Sequence, residues 1–372
     1  MNSNVLSYMV CGKFMYPQPL VELRRRAEFS DISSGQIREA ELLSLRELVQ
    51  HQLEAGLTIV SDGCIMRERW DYDFYFGLGG VERRHVRSGH IYEDCELSNA
   101  TPSIAGPIVY DAAHPLFAQY ASLCSLLPPG VMASVLLPAP AHFLLWLLTE
   151  DISWKSVYSD SMTLVDDISR AYRQIIIRFY ELGCRHVILE DHSWQTLCRR
   201  DDIKRIIQSG LDPHQLVSIF RIVNDKSVED MPSDLDVMLY LKRLEPDMTH
   251  AIASAHCDFI SSMAFDHANV PTVILDMPDG QADSIERMAA HLPEGKSLVL
   301  GVVDGRSPQL ESMEDIQSKI MRMRRVIGDR LRALTVIGGF KRDTGSISTT
   351  GFEEEDQWHK IGLLRKVSQA MA

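Results

Sequence analysis

The chain has 372 residues, of which 45% are hydrophobic and 24% charged, so it can bury a large core and global disorder is excluded. Its formal net charge of −13 argues against a surface for nucleic acid or an anionic membrane, which would need clustered positive charge. Because α/β barrels routinely exceed about 250 residues as one unit, this length is compatible with a single domain.

The seven cysteines form no CxxC pair and have no regular spacing, which is typical of reduced thiols in a cytoplasmic protein. The first residues lack a charged segment followed by an apolar one, so we expect no signal peptide. The longest apolar run, 131–148, is interrupted by prolines and falls short of a membrane span. We therefore expect an intracellular protein with a small-molecule substrate and no nucleic-acid or membrane partner; a homodimer stays open.

Short apolar or β-branched runs alternate with helical patterns along nearly the whole chain. The eight predicted strands are 7–10, 57–62, 130–137, 185–190, 235–241, 271–276, 297–303 and 334–339. Helical patterns fill the intervals, most clearly at 34–56 and at 161–183, where the second pattern stops at Gly183. The polar stretch around 82–128 predicts an irregular excursion near the mouth of the fold.

Eight strands that alternate with helices favour an α/β fold, a (β/α)8 TIM barrel formed by residues 1–372 as a single domain. An open doubly wound sheet is the alternative, but no GxGxxG or GxxxxGK[ST] follows the first strand. In a barrel, the carboxyl ends of the strands meet on one face, where chemistry takes place. The polar side chains at or just after those ends are Asp62, His142, Glu190, Asp191, Tyr240, Lys242, Asp276, Asp304 and Arg306. Any one of them is as readily a helix cap, and only their convergence indicates a site.

Five blocks of sequence stand out along the chain. They are GLTIVSDGCIMRERWDYDFYFGLGGV (56–81), LLPAP (136–140), AYRQIIIRFYELGCRHVILEDHSW (171–194), LVLGVVDGRSPQLES (298–312) and IGGF followed by QWHKIGLLRKV (337–367). In this order they resemble GLDxVTDGExxRxxW, I/LPSP, AYRxEIxxLxxAGCRYIQLDDP, VxLGLVxTKxPxLE and CGF–KLRLV of the cobalamin-independent methionine synthase family, in its single-domain form similar to the C-terminal catalytic half. The resemblance implies a (β/α)8 barrel and a superfamily shared with uroporphyrinogen decarboxylase.

Members of that family that make methionine hold a catalytic zinc ion with His, Cys, Glu and Cys side chains, and the zinc keeps the acceptor thiol as a thiolate. The resemblance places Tyr240 at the His position and Lys242 at the first Cys position. It places Asp276 at the Glu position and Gly338 at the final Cys. Because three of these four are not ordinary zinc ligands, we expect a divergent member that lacks the zinc site and needs no cofactor.

Other positions depart from the family pattern in the same direction. Cys64 stands for the glutamate of DGE and Ala139 for the serine of PSP, while Arg67 and Trp70 keep the DGxxxRxxW frame. The adjacent pair at 256–257, His256 and Cys257, does not replace the lost ligands, because neighbours on a helix point about 100° apart. The sequence thus indicates a pocket rebuilt for another substrate.

The predicted site residues fall into two groups. Catalysis is assigned to Lys242, Asp276, Tyr240, Glu190 and Asp191. Substrate binding is assigned to Asp62, Arg67, Trp70, His142, Trp194 and Arg306, and no residue is assigned to a metal.

Three functions stay open from the sequence. We favour a metal-free enzyme of the lyase, decarboxylase or isomerase type, which uses acid/base or electrostatic catalysis on a small organic molecule, because Lys242 and Asp276 can still move protons. The second is alkyl or methyl transfer to a thiol, as in a 5-methyltetrahydropteroyltriglutamate–homocysteine S-methyltransferase, with a base in place of zinc. The third is a non-catalytic ligand-binding protein, and in the plainest reading Lys242 only fills the zinc cavity and pairs with Asp276.

Overall fold

The computed structural model describes residues 6–27, 32–91, 97–242, 251–340 and 351–371; within these, the side chains of 86–91, 97–99 and 251–257 are not described. The strands are β1 (Ser7–Tyr8), β2 (Ile59–Ser61), β3 (Gly79–Ile91), β4 (Leu97–Val109), β5 (Met132–Pro138), β6 (His186–Asp191), β7 (Asp236–Leu241), β8 (Thr272–Asp276), β9 (Ser297–Asp304) and β10 (Leu331–Ile337). The eight strands other than β3 and β4 lie within three residues of the predicted ends, the largest shift being 331 against 334.

Those eight strands form one parallel sheet in the order β1-β10-β9-β8-β7-β6-β5-β2. Because β10 pairs with β1, the last strand lies beside the first. The described residues include no ladder between β1 and β2, but just beyond these strands Phe14 N donates to Gly63 O over 3.1 Å. The predicted (β/α)8 barrel is confirmed, and an open doubly wound sheet is excluded by this strand order.

Helices cover the outside of the sheet and its mouth. They are α1 (Gln18–Ala27), α2 (Ser34–Glu54), α3 (Tyr72–Tyr75), α4 (Pro115–Cys124), α5 (Pro140–Thr149), α6 (Ser161–Glu181), α7 (Ser193–Cys198), α8 (Arg200–Gln208), α9 (Pro213–Ser227), α10 (Ala251–Phe265), α11 (Ala282–Ala289), α12 (Met313–Ile327) and α13 (Glu354–Ala370). Two 3-10 turns lie at Ser153–Ser156 and Gly328–Arg330. In the part of the chain that is described, no helix combines the length and apolar character needed to cross a membrane.

Local sequence determines where the two longest helices begin and end. At the start of α2, Ser33 Oγ accepts from Gln36 N over 3.3 Å while the Gln36 side chain accepts from Ser33 N, which is a capping box. Asp160 caps α6 by accepting from Thr163 N over 2.9 Å. Gly183, at φ +96°, ends α6 in the left-handed region that glycine adopts most easily. Both helices were predicted from their periodicity.

The described residues of the segment 82–128, which leave out 92–96, form regular elements, so an irregular excursion is not what they show. β3 and β4 pair as an antiparallel ribbon, and α4 follows them. The base of the ribbon packs on the barrel, where Ile104 N donates to Ser153 Oγ and Ile108 N donates to Tyr158 OH. Further out, residues 82–85 are exposed on both faces of the ribbon. The alternation that identifies a half-buried strand is therefore lost there.

Two buried clusters separate the inside of the barrel from the helix layer. The larger cluster lies between the outer face of the sheet and the helices. The interior cluster consists of Met9, Cys11, Cys64, Trp70, Leu136, Ile188, Met238, Tyr240, Ile274, Val299 and Ala333. The barrel interior is therefore filled by side chains and is not a pore, and the polar side chains at the carboxyl ends of the strands rest on this cluster.

Candidate functional site

The carboxyl ends of three neighbouring strands bring Glu190, Tyr240 and Asp276 to one level of the barrel. Side chains along a strand alternate between the interior and the helix layer, and Ile188 lies inside. Glu190 is two residues further on β6, and its register partner on β7 is Tyr240. Asp276 ends β8, two residues after the interior residue Ile274. All three polar side chains are buried.

Tyr240 connects two of the strand ends through its hydroxyl. The hydroxyl oxygen lies 2.9 and 3.0 Å from the carboxylate oxygens of Asp276 and can donate to either. The backbone N–H of Gly338 donates to the same hydroxyl over 2.7 Å. Burial, and after it the carboxylates of Asp276 and Glu190, raise the pKa of Tyr240 well above its ordinary value. Tyr240 therefore keeps its proton at neutral pH.

Lys242 follows β7 and forms a buried ion pair with Glu190, with 2.8 Å between Nζ and Oε1. Asp276, the partner considered for Lys242 from the sequence, accepts from Tyr240. Burial alone would raise the pKa of Glu190, but Lys242, Lys13 and His192 hold it well below its ordinary value. Glu190 is thus ionised, and among the described residues its Oε2 has no hydrogen-bond partner.

His192 lies two residues after Glu190, and its Nε2 is 2.9 Å from Glu190 Oε1. Because an ionised carboxylate only accepts, Nε2 carries the proton and Nδ1 has the lone pair. Within the described part of the chain, the ring forms its hydrogen bond through Nε2, and no described residue hydrogen-bonds to Nδ1. Burial lowers the pKa of His192, and His142 and Lys242 lower it further, although the Glu190 hydrogen bond opposes them. At neutral pH His192 is therefore the uncharged imidazole that can accept a proton.

A cleft of about 580 Å³ opens at the mouth of the barrel and reaches His192. Its lining includes Arg69, Trp70, Asp71, His142, Trp146 and His192. The Trp70 ring lies against both histidine rings, with centroids 5.9 Å from His142 and 6.0 Å from His192. Lys13 also lies on the Trp70 ring, with its Nζ 4.7 Å from the ring centroid. The cleft has the size of a small-molecule site and meets the buried charges at His192.

A second carboxylate lies beside the other histidine of the cleft. Asp71 Oδ2 is 3.7 Å from His142 Nε2, and Asp71 Oδ1 is 2.9 Å from Arg69 Nε. Burial opposes ionisation of Asp71, but the Arg69 guanidinium and His142 hold its pKa well below the ordinary value. Asp71 is therefore a permanent negative charge behind His142.

Asp191, predicted to be catalytic, has a structural position. It faces away from the barrel interior, and its Oδ1 accepts from the backbone N and the hydroxyl of Ser193 over 2.9 and 2.6 Å. Its Oδ2 accepts from Asn224 Nδ2 over 3.0 Å, and Asn224 Oδ1 accepts in turn from Ala141 N. Asp191 thus ties β6 to α5 and α9 and is not part of the cleft lining.

Asp62 and Arg67, predicted to bind substrate, bind each other and the backbone. Arg67 is fully buried, with Nη2 3.3 Å from Asp62 Oδ2 and Nη1 2.8 Å from Leu136 O. Asp62 Oδ1 also accepts from Cys64 N, which stabilises the left-handed φ of +58° at Cys64. This pair holds the loop after β2 against β5 and does not line the cleft.

Two further predicted binding residues lie elsewhere. Trp194 is fully buried in the helix layer, with ring centroids 6.0 Å from both Phe220 and His267. Arg306 lies half exposed after β9, with Nε 3.0 Å from Asp304 Oδ1. Neither residue lines the cleft, whereas Trp70 and His142 both do.

Three residues at the cleft were not predicted from the sequence: His192, Lys13 and Asp71. His192 had a usable signal, because it follows the strand-end residue Glu190 by two positions. Lys13 and Asp71 had none, since each lies in a loop whose path decides what it contacts.

The described residues contain no group of side chains suited to a metal ion. Among them, no three His, Cys, Asp or Glu side chains are grouped so that they could hold a metal ion. The predicted helix around residues 256–257 is α10, but the side chains of His256 and Cys257 lie outside the described part. Burial raises the pKa of the Cys11 thiol to about 12, so this interior cysteine is a protonated thiol and not a thiolate ligand.

Two relatives match this chain over most of its length and most of theirs. No protein-family model matches the chain. Two Bacillus subtilis proteins of uncharacterized function, YxjH and YxjG, are each 26% identical over 352 residues, which cover 94% of this chain and 90% of theirs.

The solved structures that resemble this one share its fold along nearly the whole chain. A Listeria monocytogenes protein assigned as a vitamin-B12-independent methionine synthase superimposes with a TM-score of 0.74 at 19% identity, covering 99% of each chain. A B12-independent methionine synthase from Shewanella sp. W3-18-1, in complex with selenomethionine, gives 0.66 at 14% identity, over 98% of this chain and 97% of that one. A methyltransferase from Methanosarcina mazei gives 0.54 at 11% identity, over 98% and 94%. At these identities the likeness establishes the fold.

Proposed function

We propose that this chain is a divergent member of the cobalamin-independent methionine synthase family and an enzyme that acts on a small organic molecule without zinc. Membership is supported by the five sequence blocks in family order and by the full-length likeness of the fold to methionine synthases. Catalysis is supported by a cleft of substrate size that ends at buried, ionised side chains.

The residues at the family's four zinc positions do not fit zinc. They converge as a metal site would, because Tyr240 OH contacts Asp276 and Gly338 N, and a Cβ added to Gly338 would lie 3.8 Å from Lys242 Cε. Zinc takes thiolate, imidazole or carboxylate ligands. Here it would meet a protonated phenol, an ammonium group, one hydrogen-bonded carboxylate and a glycine. No step of the proposed reaction therefore passes through a metal.

The observation that carries the proposal is the 2.9 Å hydrogen bond between His192 Nε2 and Glu190 Oε1. It fixes the tautomer and directs the basic Nδ1 away from the carboxylate, as in carboxylate-supported histidine bases. Lys242 balances the charge of Glu190, so the carboxylate stays ionised when buried. His192 takes the place of zinc as the group that activates the substrate, by removing a proton.

We infer that the proton comes from a thiol that then accepts an alkyl group, most simply methyl. The S–H bond breaks and its proton passes to His192; the sulfur electron pair forms the new S–C bond while the donor leaves with the pair of its C–X bond. The nearby ammonium groups of Lys242 and Lys13 would stabilise the thiolate before attack. The names of the structural relatives favour this reaction over the lyase or isomerase type preferred from the sequence.

Removal of a proton from carbon, as in lyase and isomerase reactions, is the second candidate; a decarboxylase would instead release CO2 and add a proton to the carbon left behind. The second candidate is favoured by Tyr240, which keeps its proton beside Asp276 and could return it to the substrate. The same base, His192, would begin both reactions. The two candidates differ in whether a thioether forms or a C–H bond exchanges with solvent.

The proposal is tested with protein expressed without a histidine tag and stripped with chelator. Homocysteine is the thiol probe, offered with a set of methylated pterin and sulfonium donors, and thioether is measured by mass spectrometry. His192→Gln is expected to lower the rate by about 100-fold or more, whereas His359→Gln, at an exposed histidine, keeps it. Full activity in His192→Gln contradicts the base. If the C–H bonds of amino or oxo acids exchange in D2O and no thioether forms, the second candidate is selected. If neither exchange nor thioether is found, the result indicates a non-catalytic binding protein.

A further inference from the structure

The cleft contains a second imidazole in contact with the first. The ring centroids of His142 and His192 are 4.9 Å apart, with the rings inclined by 56°. The two histidines come from different parts of the chain. His142 lies in the first turn of α5, and His192 lies between β6 and α7. Each has a buried carboxylate behind it, Asp71 for His142 and Glu190 for His192.

The two carboxylate–histidine contacts differ in kind. His192 Nε2 makes a 2.9 Å hydrogen bond to Glu190, which suits a neutral ring with its proton on that nitrogen. His142 Nε2 lies 3.7 Å from Asp71 Oδ2, too long for a hydrogen bond but within reach of an ion pair when the ring is protonated. His142 Nδ1 is buried and has no hydrogen-bond partner among the described residues. His192 is thus arranged as the base, and His142 as the ring whose Nε2 faces the Asp71 carboxylate.

The charges around the pair favour a single shared proton. His142 lowers the pKa of His192, because two imidazolium rings in contact would repel each other. Lys242 acts on His192 in the same direction, Lys13 lies on the Trp70 ring, and Arg69 lies next to Asp71. Against these cations stand two carboxylates, Glu190 and Asp71. Because the three cations already outnumber the two carboxylates, protonation of both rings at once is disfavoured.

We propose that His142 and His192 are an acid–base pair, in which His192 removes the proton from the acceptor and His142 delivers one to the leaving donor. This inference rests on the proposed function and adds a second catalytic residue to it. The acceptor proton ends on His192, the donor's leaving atom takes a proton from His142, and the pair regains its starting state when one proton passes between the rings or through water. The sum is acceptor–H plus donor–alkyl giving acceptor–alkyl plus donor–H.

The first test needs no substrate. Protein with 15N-labelled histidine side chains is titrated by NMR, and the two rings are assigned from His142→Gln and His192→Gln spectra. In His142→Gln the titration midpoint of His192 is expected to rise by roughly 0.5 pH units or more, because a coupled neighbour has been removed. His142→Asn gives the same result if coupling is the cause, and His359→Gln leaves the midpoint unchanged. An unchanged midpoint in both His142 variants overturns the pair.

The thioether assay then separates failure of the pair from failure of the proposed function. A protonated His142 predicts an alkaline limb in the pH–rate profile, and a neutral His192 predicts an acid limb. Loss of the alkaline limb in His142→Gln, with a rate lowered about 100-fold, supports the pair. Full rate with both limbs in His142→Gln, while His192→Gln is inactive, overturns the pair and leaves the proposed function standing. Full rate in both variants overturns the proposed function and the pair together.

Discussion

The ammonium of Lys242 and the carboxylate of Glu190 form an ion pair of 2.8 Å in which both side chains are almost completely buried. A charge removed from water is costly unless it is paired, and breaking such a pair leaves an unpaired buried charge. Glu190 lies near the carboxyl end of β6, and Lys242 directly follows the neighbouring strand β7. We therefore expect this pair to contribute both to the stability of the fold and to the proposed reaction.

Lys242→Met is expected to lower the free energy of unfolding by about 3–5 kcal/mol, because Glu190 then stays buried without its counter-charge. The double variant Lys242→Met/Glu190→Gln, which removes both charges, should recover part of that loss. Urea denaturation measures both values. As a control, Lys226→Met breaks a half-exposed pair with Asp166 and should cost about 1 kcal/mol or less. Equal costs for the single and double variants would show that the charge pairing is not the source of the effect.

Tyr240→Phe is expected to cost about 1–3 kcal/mol of stability, because it removes the hydroxyl to which the Gly338 N–H donates and from which the Asp276 carboxylate accepts. Tyr180→Phe is the matched control, since that hydroxyl donates to Asp234 on the surface over 2.7 Å. Water can replace the lost partner there, so the control should change stability by less than about 1 kcal/mol. Thermal and urea unfolding of both variants check the prediction, which fails if the two costs are the same.

Arg67→Lys tests whether Arg67 is structural. A lysine cannot contact Leu136 O and Asp62 together in the way the guanidinium fork does. We expect a loss of about 2–4 kcal/mol in unfolding free energy, together with unchanged affinity for any ligand that binds in the cleft. Normal stability with weakened ligand binding would instead return Arg67 to the substrate-binding role expected from the sequence.

His114 predicts a defined acid sensitivity. Burial lowers its pKa to about 4, and its Nδ1 must stay unprotonated to accept from Leu116 N at the start of α4. The unfolded chain takes up this proton near pH 6.5 and the folded chain only near pH 4, so stability is full above pH 6.5 and falls as the pH drops between these values. The loss totals roughly 3 kcal/mol.

Denaturation curves at several pH values between 4 and 7.5 measure this loss. His114→Asn keeps a cap acceptor but cannot titrate, so its stability should change less over the same range, while His359→Gln keeps the wild-type slope. A wild-type slope in His114→Asn would mean that other groups cause the acid sensitivity.

The sequence was sufficient for the barrel and insufficient for half of the site. The strands are apolar on both faces, so their positions could be read within a few residues, and their ends identified Glu190, Tyr240, Lys242 and Asp276. Alternation then decides which strand-end residues face inward, and a one-residue difference places Asp191 outside and Glu190 inside.

Other parts of the site depend on tertiary paths that no local pattern records. Trp194 lies in a short helix whose burial depends on its packing against α9 and α10, so its aromatic ring suggested a binding role that its position does not support. Lys13 reaches Trp70 from a loop after β1, and nothing in its own neighbourhood indicates the contact. Loops carry function because a rigid scaffold positions them, and only the assembled scaffold shows where they lie.

The central claim is that Lys242, Glu190 and His192 form a site that works without zinc. Metal content of the tag-free protein, measured by elemental mass spectrometry before and after exhaustive chelation together with activity in the thioether and exchange assays, tests it most directly. We expect far less than one zinc per chain and the same activity after chelation. One zinc per chain, removed by chelator together with the activity and restored with it, would contradict the account and return the protein to zinc-dependent methyl transfer.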